Sequence, residues 1–125
     1  MGDTRIGSVS WIDLTVADAS GVRDFYEAVV GWTSTGVDCG GYEDFCMNRP
    51  EDGETVAGVC HQRGLNAGLP PVWMPYFIVE DLDRSLAAVR ERGGEVIDGP
   101  REMGEGRACF VRDPAGACAA LYQVS

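Results

Sequence analysis

The chain contains one histidine, His61, so a single imidazole is available for proton transfer or metal ligation near neutral pH. Asp13 is the other residue whose type and place suggest chemistry. It lies in Val9 to Val16, a run rich in β-formers where Trp11, Asp13 and Thr15 alternate with Ile12, Leu14 and Val16. A carboxylate held on such a strand can work as a general base, and Asp13 and His61 are the two catalytic candidates. Five cysteines (Cys39, Cys46, Cys60, Cys109, Cys118) are an odd number, which excludes complete pairing within one chain. No CxxC occurs, and one histidine cannot supply the Cys/His spacing of a zinc site. Cys60 and Cys118 read as small apolar fillers, because neither has the electropositive surroundings that activate a thiolate.

The positioning elements must come from 125 residues, enough for one domain with its own core. Apolar residues make up 45% and charged residues 24%, the balance of a soluble globular protein, and no apolar run approaches a membrane span. Met1 to Ser10 has one Arg and no apolar block, so no secretory signal is expected and a cytoplasmic location is. All ten basic residues are Arg, against twenty Asp and Glu, for a net charge of −10. Such a surface repels phosphate backbones and excludes nucleic acid as a partner, while attracting cations.

A constant shift of 63 positions lays one half of the chain on the other: Val16 on Val79, Asp18 on Asp81, Gly31 on Gly94. In the first copy, Asp18 has the chemistry of an N-cap. After it, Val22, Phe25, Tyr26 and Val29 have the spacing of one helical face, and Gly31 suits a left-handed stop. The second copy runs from the strand Trp73 to Val79, through the cap Asp81 and a helix face of Leu82, Leu86 and Val89, to Gly93-Gly94. Three short strands are expected after each helix: Thr33 to Val37, Tyr42 to Asn48 and Thr55 to Gln62, then Glu95 to Asp98, Arg107 to Arg112 and Ala117 to Val124. Asp113-Pro114-Ala115-Gly116 has the residues of a type I turn. The reading is a single α+β domain over 1–125, with βαβββ modules at 7–62 and 73–124 and a linker at 63–72. Neither four-stranded sheet can bury both faces alone, so the modules are expected to form a curved, partly closed mixed-sheet barrel around a pocket.

This order of marks resembles the vicinal oxygen chelate superfamily, the glyoxalase, bleomycin-resistance and extradiol-dioxygenase group. The residues carrying it are Trp11-Ile12-Asp13-Leu14, Asp18, Phe25-Tyr26 and Gly31-Trp32 in the first half. In the second they are Tyr76 through Asp83, Gly93-Gly94, Gly106-Arg107-Ala108 and Asp113 through Gly116. The resemblance implies a divalent ion held by His, Gln or Glu on the first and last strands of each module. Three of those four positions fall on Trp11, Met74 and Ala120, none a hard-cation ligand; the fourth lies near Ala57 to His61, without a clear alignment, where only His61 is a plausible ligand for such an ion. No cofactor is therefore expected. The resemblance also implies homodimerisation.

If Trp11 and Met74 face inward, alternation brings Asp13, Thr15, Tyr76 and Ile78 with them, and Ala120 brings Cys118 and Tyr122. The expected ligand-binding residues are Trp11, Asp13, Met74, Tyr76, Ala120 and Tyr122. Aromatic walls with one carboxylate suit a flat or cationic small molecule. Two functions stay open: a metal-independent small-molecule binder, or a lyase, isomerase or dioxygenase using a non-standard metal set that includes Asp13 and His61.

Overall fold

Asp18 and Asp81 start the two helices as their side-chain chemistry requires. The Asp18 carboxylate accepts the Gly21 N–H at 3.0 Å and opens α1 (Ala19–Val30). The Asp81 carboxylate accepts the Arg84 N–H at 3.1 Å and opens α2 (Leu82–Glu91). Gly31 ends α1 at φ 87°, the left-handed conformation that a residue without Cβ adopts at no steric cost. The strands are β1 (Val9–Val16), β2 (Thr33–Asp38), β3 (Glu43–Asn48), β4 (Thr55–His61), β5 (Trp73–Ile78), β6 (Glu95–Met103), β7 (Gly106–Arg112) and β8 (Cys118–Gln123). The order is βαβββ twice, an α+β fold of mixed sheet. This computed structural model describes residues 2–125. Among them no helix is long and apolar enough to cross a membrane.

The chain divides into two compact units, one of Ile12–Trp73 and one of Met74–Ser125 together with the segment up to Trp11. In the first, the strand order is β2-β3-β4-β1, with β1 and β4 parallel and the other pairs antiparallel. α1 covers one face. Ala19 packs with Phe45, Met47, Ala57 and Val59, and Val22 and Tyr26 add to that cluster. Each such buried side chain stabilises the unit by roughly 1.5–3 kcal/mol. Trp73 donates its Nε1–H to the Tyr26 hydroxyl at 3.0 Å, which gives the one polar atom of a half-buried indole its partner.

In the second unit, β5 and β8 are parallel and β6-β7-β8 is antiparallel. α2 buries Leu82 and Leu86 against Cys109 and Val111, with Val79, Val96 and Leu121 around them. The Gln123 side chain accepts the Leu82 N–H at 2.7 Å, satisfying a first-turn donor. The expected Asp113 turn forms: Gly116 N–H reaches Asp113 O at 2.9 Å, and the Asp113 carboxylate holds the N–H groups of Ala115 and Ala117.

Two local expectations are corrected. Phe25 and Val29 are 56% and 63% exposed, because the apolar arc of α1 that packs on the sheet runs through Ala19, Val22 and Tyr26. β6 continues past Asp98 to Met103, because register shifts between Val96 and Arg101 carry Gly99 and Pro100 outside the pairing and let Arg101 rejoin opposite Ala108.

Candidate functional site

Helix packing decides which sheet face is left without a helix. In the Met74–Ser125 unit, α2 takes the side of Cys109, Val111 and Leu121. By alternation, Met74, Tyr76, Ala108, Phe110, Ala120 and Tyr122 share the other side, and the register sets Tyr76 beside Ala120 and Ile78 beside Tyr122. Four of the six expected ligand residues thus lie on one face. All are buried, and Tyr76 meets the Phe110 ring edge-on at 6.0 Å. The Arg101 guanidinium lies 4.8 Å from the centre of the Phe110 ring.

Open space lies at the hydroxyl end of Tyr122. A cavity of about 310 Å³ is lined by Thr4, Met103, Gly104, Glu105, Tyr122 and Val124. Tyr122 is 6% exposed, and its hydroxyl donates to the Met103 carbonyl at 2.7 Å, which fixes the ring against the β6–β7 turn. Gly104 turns the chain there at φ 60°. Gly106 keeps the approach close: a Cβ there would stand 2.2 Å from Gln123 O and 2.8 Å from the Tyr122 ring. The walls are a thioether, an aromatic ring and a valine, with one carboxylate and one threonine hydroxyl. Such a lining holds an apolar body and favours positive charge at Glu105. Tyr122 was expected from the sequence. Thr4, Met103, Glu105 and Val124 were not, because three separated segments bring them together.

In the Ile12–Trp73 unit, β1 pairs with β4 so that Asp13 aligns with Gly58, Thr15 with Cys60 and Val16 with His61. Asp13, Thr15 and Cys60 therefore share the face away from α1. Phe45, Val59 and His61 take the α1 face, where His61 meets the Phe45 ring at 6.3 Å and its Nδ1 lies 3.4 Å from Ala17 O. The structure does not bring the two catalytic candidates together. Asp44 accepts the His61 backbone N–H at 2.8 Å. Burial pushes the Cys60 thiol far up, and the Asp13 and Asp44 carboxylates push it further, so Cys60 is a neutral thiol at physiological pH. Burial also raises Cys109, whose thiol donates to Asp98 O at 3.3 Å.

The same register identifies the fourth metal position implied by the resemblance. In one unit Ala120 pairs with Tyr76, two residues after Met74; in the other the residue paired with Asp13, two after Trp11, is Gly58. The four positions hold Trp11, Gly58, Met74 and Ala120, which offer no oxygen or imidazole donor, and His61 points to the opposite face from Gly58. The residues present do not fit the family's divalent ion. Among the described residues, no group of three or more His, Cys, Asp or Glu is arranged to hold a metal.

A family model described as Glyoxalase/Bleomycin resistance protein/Dioxygenase superfamily matches residues 8–118. The chain is 34% identical over 127 residues to "Putative glyoxylase CFP32" of Mycobacterium tuberculosis (strain CDC 1551 / Oshkosh), covering 97% of this chain and 47% of that protein. It is 35% identical over 133 residues to "Anthracycline biosynthesis protein DnrV" of Streptomyces peucetius, covering 94% and 47%. The chain spans about half the length of these curated relatives. Among solved structures, methylmalonyl-CoA epimerase from Mycobacterium tuberculosis superimposes with a TM-score of 0.57 at 17% identity, covering 100% of this chain and 93% of that one. That likeness is one of fold.

Proposed function

The chain belongs to the glyoxalase/bleomycin resistance protein/dioxygenase superfamily, and on that premise we propose that it binds a small aromatic or cationic organic molecule without a metal ion. The observation that carries this reading is the cavity at Tyr122, apolar apart from Glu105 and Thr4. Its volume of about 310 Å³ is at the lower end of small-molecule sites. The Tyr122 hydroxyl is already donating to Met103, so its oxygen lone pairs and the Glu105 carboxylate face a ligand as acceptors. An ammonium or amidinium group on a flat body matches that pattern. A relative named for anthracycline biosynthesis supports an aromatic ligand.

Metal independence is supported by the donor set at Trp11, Gly58, Met74 and Ala120. The pairing of two copies remains a proposal too, supported by the apolar residues Phe25, Val29 and Val30 exposed on α1; sedimentation at two concentrations tests it.

The test of the ligand reading is thermal denaturation of chelator-treated protein against a panel of aromatic amines, their neutral analogues and their acid counterparts. Binding to the folded state alone raises the midpoint as ligand exceeds its dissociation constant. The expected result is a shift with aromatic amines and a smaller one with the neutral analogues. No shift with any compound at high concentration, or a shift that appears only after a divalent ion is restored, overturns the proposal.

A further inference from the structure

We propose that the end of β4 carries a separate binding site for a small oxyanion, a carboxylate or phosphate group, clamped by Arg63 on a platform of Tyr42 beside His61. All three residues lie in the Ile12–Trp73 unit, and the inference does not rest on the cavity at Tyr122.

In a chain of twenty carboxylates, the Arg63 guanidinium is exposed and makes no ion pair with any of them among the described residues. It lies instead over the Tyr42 ring, 4.1 Å from the centroid. A cation held by a ring face keeps its five N–H donors available, and the guanidinium fork matches a carboxylate or phosphate edge.

The backbone beneath this pair is fixed. Arg63 N–H bonds His61 O at 2.8 Å, and Asn66 N–H bonds Arg63 O at 3.0 Å in the short 3-10 turn that begins at Gly64. Tyr42 O accepts the Cys39 N–H at 2.8 Å. His61 forms the wall, edge-on to Tyr42 at a centroid separation of 5.7 Å, with its Nδ1 near Ala17 O. The Asp44 carboxylate of this cluster accepts the His61 N–H at 2.8 Å and also acts on the Cys60 thiol. The arrangement is an aromatic-backed corner that presents one exposed guanidinium on an acidic protein.

The probes are benzoate, inorganic phosphate and neutral benzyl alcohol, each titrated at low ionic strength while the ring resonances of His61 and Tyr42 and the side-chain N–H of Arg63 are followed by NMR. The expected result is saturable movement with benzoate, phosphate or both, with dissociation in the millimolar range. Benzoate alone indicates an aromatic carboxylate ligand, and phosphate alone a phosphate group. Arg63→Gln abolishes saturation, and Tyr42→Leu weakens it several-fold, with the remaining spectrum superimposable on the parent. No saturation with either anion, saturation that survives Arg63→Gln, or equal response to benzyl alcohol overturns the proposal.

Discussion

Asp13 and His61 point to opposite faces of one sheet. Asp13 aligns with Gly58 and His61 with Val16, three residues along each strand, an odd step in a period of two. The two catalytic candidates therefore serve different surroundings, Asp13 that of the Cys60 thiol and His61 that of the Tyr42, Phe45 and Arg63 corner.

Their independence is measurable. Asp13→Asn and His61→Ala are expected to change stability additively, with a coupling energy below about 0.5 kcal/mol in a double-mutant cycle. Denaturant unfolding of the two single variants and the double variant gives the value. A coupling above 1 kcal/mol contradicts the opposite-face placement.

Cys60 sets an alkaline limit on stability. Its folded-state pKa is raised, first by burial and then by Asp13 and Asp44, above a usual value of 9.0. The unfolded chain loses that proton near pH 9 while the folded chain keeps it, so stability is intact below pH 9 and falls as pH rises beyond. Cys60→Ala is expected to flatten this fall in denaturation curves measured from pH 8 to pH 11. Asp44→Asn lowers the thiol pKa and is expected to speed alkylation of Cys60.

Gly106 lets Tyr122 lie close. Gly106→Ala places a methyl group 2.2 Å from Gln123 O, a clash with backbone that no side-chain rotation relieves. The expected cost is about 1–3 kcal/mol, read as a lower denaturation midpoint, together with a changed environment for Tyr122 in its near-ultraviolet or NMR signals.

Much of the fold was legible because its marks are local. Asp18, Asp81 and Gly31 cap helices through chemistry within a few residues, and the repeat of 63 positions identified equivalent strands. Register was less legible. The shift of 63 lays Ala120 on Ala57, yet strand pairing puts Gly58 opposite Asp13, and that one-residue difference sends His61 to the helix side. β6 was cut short because Gly99-Pro100 reads as a stop, whereas pairing resumes beyond it at Arg101. The cavity was mostly illegible: Tyr122 follows from strand alternation, but Thr4, Glu105 and Val124 reach it from a terminal segment, a turn and a strand end.

The most direct test of metal-free binding at Tyr122 is titration calorimetry of chelator-dialysed protein with an aromatic amine, for the parent and for Glu105→Gln. The account predicts binding that added divalent ions leave unchanged and that Glu105→Gln weakens about two- to fivefold, the scale of one solvent-screened charge. Binding that requires a divalent ion, or that is identical in Glu105→Gln, contradicts it.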